Sequence, residues 1–265
     1  MAGLFEGKVA WVTGASGGIG EAIALAFAAK GSSLVLSARS HESLNKVAGK
    51  CKAAGAGNVL ILPLDLTHSD GFQSMAADIV KQMGAIDILV NNGGVSQRAL
   101  VKDASIELYR QIMEINFFGT VAITKAVLPY MIAKKSGQII TISSLVGKIG
   151  SPLRSGYAAS KHALHGFFDS LRAEVQDENI KVLMVCPGFI KTNISVNALN
   201  AAGNKTGKMD KNQETGMLPT VLADRILKAM AAGKQEIYVG GKERLILYIK
   251  RFFPALVNGI VRKKH

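Results

Sequence analysis

"KVAWVTGASGGIG", residues 8–20, decides the fold. Its first six residues are strand-like, with apolar and β-branched side chains behind Lys8. Gly14, Gly18 and Gly20 then interrupt the text, and an amphipathic helical stretch runs over 18–30. Strand, glycine turn and helix in that order open a βαβ unit. Such a turn suits a dinucleotide. One glycine allows the bend, one lets the backbone approach a diphosphate, one lets the helix pack on the strand, and the helix N-terminus faces the negative charge. Ser16, Gly17 and Ile19 belong to the same turn and are candidate contacts.

The same alternation continues along the chain. Strand candidates follow at 33–38, 58–63, 86–91, 138–143, 181–186 and 236–240, with helical segments near 41–54, 69–83, 105–134, 156–177 and 219–232. Continuous apolar strands separated by helices predict a parallel sheet covered on both faces. Right-handed crossovers then give an α/β fold: one Rossmann-type, doubly wound, seven-stranded domain over 1–240. Two regions break the pattern: a polar loop at 193–218 and a basic tail at 241–265.

Composition narrows the class. Cys51 and Cys186 stand far apart, and the five histidines form no metal-binding spacing, so two reduced thiols and no metal are expected. The first residues lack a secretory pattern, and no unbroken apolar run approaches the ~20 residues of a membrane span. The reading is therefore cytoplasmic, with peripheral attachment to a membrane surface as the variant. Net charge is +13, and the tail alone holds seven basic residues against Glu243, a net of +6. No nucleic-acid module accompanies that charge, so no nucleic-acid partner is expected.

The second strand ends in "LSARS". An NAD site usually has a carboxylate here to bind the ribose 2′-hydroxyl and repel a 2′-phosphate. This chain has Ala38, Arg39 and Ser40 instead. A guanidinium fork suits a phosphate, so NADP(H) is favoured over NAD(H).

The opening turn, "NNGG" at 91–94, Asn116 in "EIN", Ser144 after "ITIS", Tyr157 and Lys161 in "YAASK", and "PGFIKT" at 187–192 together resemble the short-chain dehydrogenase/reductase family. The tail is similar to tails in its dehydrogenase/reductase 7-like branch, including 7B members. Several of those relatives carry an N-terminal anchor that this text is not expected to supply. Two departures stand out: Gly93 where the family usually has alanine, and Gly17 where many NADP-dependent relatives have a basic residue. The resemblance implies Asn116, Ser144, Tyr157 and Lys161 as the catalytic group. It further implies Asp65 and Leu66 beside the adenine, Asn92 and Gly94 near the ribose, and Pro187, Gly188, Ile190 and Thr192 along the nicotinamide. Lys161 would also hold the nicotinamide ribose, and Asn116 a water. The chemistry is coherent: Tyr157 and Lys161 share a helical face, and an ammonium one turn away, with the positive nicotinamide of the oxidised dinucleotide, is expected to lower the phenol's pKa. Ser144 would bind the substrate oxygen. Ser143, His162 and His165 are read as structural.

The expected activity is NADP(H)-dependent interconversion of a secondary alcohol and a carbonyl on a lipid-like, steroid or retinoid-type molecule. A 3-oxoacyl thioester, a xenobiotic carbonyl, or an idle NADP-binding scaffold remain alternatives. The loop 193–218 would cover the substrate. The tail, with aromatic residues among its lysines, reads as an interfacial segment that competes with packing on protein. The family resemblance implies a homodimer or homotetramer.

Overall fold

The seven strands expected from the sequence all form. In the computed structural model, which describes residues 3–262, they are β1 (Val9–Thr13), β2 (Ser33–Ser37), β3 (Val59–Ile61), β4 (Ile88–Asn91), β5 (Gly137–Ile142), β6 (Ile180–Pro187) and β7 (Glu236–Val239). The helices are α1 (Gly18–Ala28), α2 (His41–Ala53), α3 (Phe72–Met83), α4 (Ile106–Met113), α5 (Gly119–Lys134), α6 (Ser155–Glu174), α7 (Lys211–Glu214), α8 (Pro219–Ala231), α9 (Leu245–Phe252) and α10 (Pro254–Arg262). All strand pairs are parallel, in the order β3-β2-β1-β4-β5-β6-β7. The order reverses between β1 and β4, which opens a crevice at their carboxyl ends.

Side-chain alternation along β1 shows why both faces need helices. Ala10 and Val12 enter a core with Ile23 and Phe27 of α1, Leu44 of α2 and Ile226 of α8. Val9 and Trp11 enter the opposite core with Ile79 of α3, Val127 of α5 and Phe168 of α6. Trp11 is fully buried, and its indole N–H donates to Ser37 Oγ at 2.9 Å, so its one polar atom is satisfied.

Two features differ from the sequence reading. The first is the helix spanning Ile106–Lys134, which is long and apolar enough to cross a membrane by length and composition alone. Asn116, Thr120 and Thr124 are among the residues that interrupt its apolar run, so no unbroken stretch shows in the text. All three are buried in the domain. The second is a wide π-helical turn at Glu114–Phe118, where Gly119 N–H donates to the Glu114 carbonyl.

The tail folds as two helices rather than one extended segment, because Pro254 starts α10 and removes a donor at that point. Lys263 and Lys264, part of the basic cluster noted above, lie outside the described residues.

Candidate active site

A cleft of about 1590 Å³ opens at the carboxyl ends of the strands, bounded by the glycine turn, the 193–218 loop and the tail helices. Gly14 and Gly18 have φ of +63° and +59°, values that glycine adopts without strain. A Cβ on Gly14 would lie 2.8 Å from Asn92 Nδ2. Asn92 Nδ2 donates to the Thr13 and Gly14 carbonyls at 3.0 and 3.1 Å, and Thr13 Oγ1 accepts from Asn92 N and Gly93 N. The Asn92 amide, expected near a ribose, thus also ties the turn to β4. Thr192 faces the turn from across the cleft, 3.1 Å from where a Gly18 Cβ would sit.

Ser16, Gly17, Ile19, Ala38, Arg39, Ser40, Asp65, Leu66 and Gly94 line the cleft as well. Gly20 lies beneath the turn, buried. The Ser40 hydroxyl caps α2 by accepting from Ser43 N at 3.2 Å. Burial works against the Asp65 charge. Hydrogen bonds from Thr67 and the nearby Arg39 outweigh it and hold the carboxyl below its ordinary value. These residues fit a dinucleotide: a glycine cradle, an open helix N-terminus, and a guanidinium with no carboxylate on Ala38.

Asn116 is fully buried in the π-turn. Its Oδ1 accepts from Val95 N at 2.8 Å, and its Nδ2 donates to Val95 O and Ser160 Oγ at 2.9 and 3.0 Å. Both amide hydrogens are occupied, so the side chain has no donor left for the water expected of it. Ser160 donates on to the Tyr157 carbonyl at 2.8 Å.

Ser144 follows β5, its Oγ donating to the Pro187 carbonyl at 3.4 Å, and it acts to lower the pKa of the Tyr157 phenol. Tyr157 and Lys161 sit on α6, the Lys161 ammonium 5.8 Å from the phenol ring centroid. Lys161, expected to lower the phenol together with the oxidised nicotinamide, is not among the groups acting on it. Burial raises the phenol above its usual range, outweighing Ser144, Arg154 and Arg98, all of which act to lower it. Burial also lowers Lys161 to about 8, and its Nζ donates to the Ile142 carbonyl at 2.8 Å.

Pro187, Gly188, Ile190 and Thr192 form the cleft wall after β6. The Ile190 carbonyl accepts from Gln213 Nε2 of the loop, and Gly188 packs directly on Glu243. The loop is well packed: Ser195, Ala198 and Gln213 are buried, and bridges join Gln97 to Leu199 and Ile190 to Met217.

His165 is buried, its Nε2 3.0 Å from Ser143 Oγ, which fits the structural reading of both. Cys186 and Glu236 join it in one cluster that sequence spacing hides, and Lys148 pairs with Glu236 at 2.9 Å. Burial lowers His165 to about 4, so the ring is neutral at physiological pH.

Sequence reasoning missed several residues. Gln97, fully buried, accepts from Gly156 N and Tyr157 N at 2.7 and 3.2 Å and so caps α6 from a distant loop. The available signal was the absence of a capping side chain at Arg154 before so long a helix. Arg98, Arg154 and Asp210 also meet in the cleft. Leu153 beside them has φ +65°, a left-handed conformation costing about 1–2 kcal/mol.

Fold, turn and cleft define a nucleotide-dependent oxidoreductase architecture. The chain belongs to the short-chain dehydrogenase family, whose model matches residues 8–202. It is 41% identical over 264 residues to a dehydrogenase/reductase SDR family protein 7-like of Anopheles gambiae, covering 98% of this chain and 83% of that one. It is 41% identical over 260 residues to human dehydrogenase/reductase SDR family member 7, covering 96% and 77%. It is 39% identical over 257 residues to mouse dehydrogenase/reductase SDR family member 7B, covering 96% and 80%. Among solved structures, a short-chain dehydrogenase from Streptomyces avermitilis superposes with TM-score 0.82 at 29% identity, covering 97% and 96%. A Thermococcus sibiricus alcohol dehydrogenase complexed with 5-hydroxy-NADP gives 0.77 at 26%, covering 89% and 97%. A metagenomic short-chain oxidoreductase in complex with NADP gives 0.74 at 32%, with the same coverage.

Proposed function

We propose that the chain is an NADP(H)-dependent oxidoreductase that interconverts a secondary alcohol and a carbonyl, working mainly as a reductase. The carrying observation is the meeting of Ser144, Tyr157 and Lys161 in the same cleft as the glycine cradle and Arg39. The bound dinucleotide supplies or accepts the hydride. Ser144 holds the substrate oxygen, and Tyr157 delivers the proton that the developing alkoxide needs. Burial raises the phenol's pKa, which suits a proton donor. Asn116 and Ser160 fix the α6 backbone at Tyr157. Lys161 is the candidate for binding the nicotinamide ribose.

Arg39 supports NADP(H) over NAD(H), as do the NADP-type ligands named for two structural neighbours. Ala38→Asp places a carboxylate beside the proposed 2′-phosphate site. It is expected to weaken NADPH at least tenfold and to improve NADH relative to it, read from kcat/KM with each cofactor. Unchanged NADPH affinity refutes the assignment.

The substrate reading remains a lipid-like, steroid or retinoid-type carbonyl. Leu245, Ile246 and Ile249 of α9 and Ile260 and Val261 of α10 line the cleft. Tyr248, Phe252, Phe253 and Leu256 are 59%, 71%, 62% and 60% exposed, with Lys250 and Arg251 close by in sequence. These exposed aromatic and apolar side chains, with basic residues near them in sequence, support attachment to an anionic membrane surface. Truncation after Gly240 is expected to abolish flotation with phosphatidylserine vesicles, and undiminished flotation refutes the attachment. Phe118 and Ile132 on the Ile106–Lys134 helix are 51% and 37% exposed, which supports a homo-oligomer through this helix.

A further inference from the structure

Arg98 Nη2 and Arg154 Nη2 both donate to Asp210 Oδ2, at 3.2 and 3.1 Å. The three side chains are only 18%, 13% and 20% exposed, and all three line the cleft that holds Tyr157 and Ser144. Two guanidiniums thus face one carboxylate, leaving a positive charge unbalanced in a partly buried place. Lys191 and Lys205 also line the cleft.

Both guanidiniums have partners besides Asp210, although the Arg98 backbone is itself joined to the loop, its N–H donating to the Leu199 carbonyl at 2.8 Å. Arg98 Nη1 donates to Ser96 Oγ and the Gln97 carbonyl at 3.1 and 2.7 Å, and Arg154 Nη1 to Ser151 Oγ at 3.4 Å. Leu153, strained immediately before Arg154, has its carbonyl fixed by Ala99 N at 3.0 Å. Asp210 arrives from the 193–218 loop, its Oδ1 accepting from Asn212 N at 2.9 Å and its backbone N–H donating to Ser195 Oγ at 3.1 Å. Two guanidiniums with anchors of their own on Ser96, Gln97 and Ser151, converging on one loop carboxylate, form the arrangement of an anion subsite with an internal stand-in.

We propose that Arg98 and Arg154 bind an oxyanion of the substrate, a carboxylate or a phosphate monoester, and that Asp210 is the internal carboxylate it replaces. The substrate class becomes a carbonyl compound with an apolar body and an acidic group. This inference rests on the carbonyl-reductase reading of the cleft.

The test compares methyl ketones with oxo-fatty acids and keto phosphate monoesters of matched chain length, using NADPH oxidation by the full chain. The expected ratio of kcat/KM, acidic over neutral, exceeds ten for at least one acidic series. Arg98→Met and Arg154→Met each lower that ratio about tenfold, and Asp210→Asn raises it about threefold. Variants that change both substrate types together, with an unaltered ratio, make the cluster a loop latch only and overturn the subsite while leaving carbonyl reduction standing. Should an arginine variant not fold, competition in the wild type decides. Dodecanoate or dodecyl phosphate is expected to compete with the neutral ketone more strongly than dodecanol, and equal competition overturns the proposal. Should no ketone be reduced, the functional reading falls, and calorimetry of the wild type with dodecanoate and dodecyl phosphate judges the subsite alone. Binding absent for both overturns it.

Discussion

Tyr157→Phe is expected to lower NADPH-dependent carbonyl reduction by about a hundredfold or more, with NADPH affinity changed far less. The substitution removes one hydroxyl from a half-buried ring and leaves the packing in place. The Gln97 cap on Tyr157 N and the Ser160 contact to its carbonyl involve only backbone atoms of that residue, so α6 keeps its start. The loss therefore falls on proton delivery. The pH profile sharpens the test. Because burial raises the phenol pKa, the protonated donor persists through neutral pH, and reduction is expected to decline only on the alkaline side. Oxidation of the alcohol needs the phenolate and is expected to rise over the same range. Equal turnover by parent and variant removes Tyr157 from the mechanism and leaves the idle scaffold as the better account.

Gly20→Ala is expected to cost roughly 3 kcal/mol of folding stability and to abolish measurable dinucleotide binding. A Cβ there would overlap the Gly14 carbonyl oxygen and lie 2.6 Å from Asn92 Nδ2. Neither can yield easily. The carbonyl belongs to the turn, and the amide is held by the Thr13 and Gly14 carbonyls. For a chain of this length the loss corresponds to a fall in Tm of roughly 6–12 °C. Gly49 of α2 is the control, since nothing lies within 4 Å of an added Cβ there. Gly49→Ala is expected to raise stability by about 0.5–1 kcal/mol through helix propensity. A calorimetric melt of both variants separates the close approach from a general intolerance of substitution.

These sites differ in how far sequence could reveal them. Strands such as β1, β5 and β6 are buried on both faces, so their side chains form unbroken apolar runs that text displays directly. The turn and the Tyr157–Lys161 pair are local: one bend, one helical turn. Arg98, Arg154 and Asp210 share no such locality, being separated by 56 and 112 positions and joined only by closure of the loop. Gln97 was invisible for the same reason, since it caps a helix that begins 58 positions later. The helical spacing shows the ammonium near the phenol but not the burial that acts against it. The tail's composition was plain, but its break into two helices that also wall the cleft depends on packing.

The π-turn at Glu114–Phe118 makes chain length, more than residue type, the constraint on the helix that carries Asn116. One residue inserted into or deleted from a regular helix rotates everything beyond it by about 100°. On one side of the turn, Leu108 and Ile112 point into a small core shared with Ala99 and Leu199. On the other, Ile123, Val127 and Met131 point into the core beneath the sheet. The wide turn sets the angle between these two faces. A single-residue deletion there would straighten the helix locally yet aim one of the two apolar rows at water, whichever residue was lost.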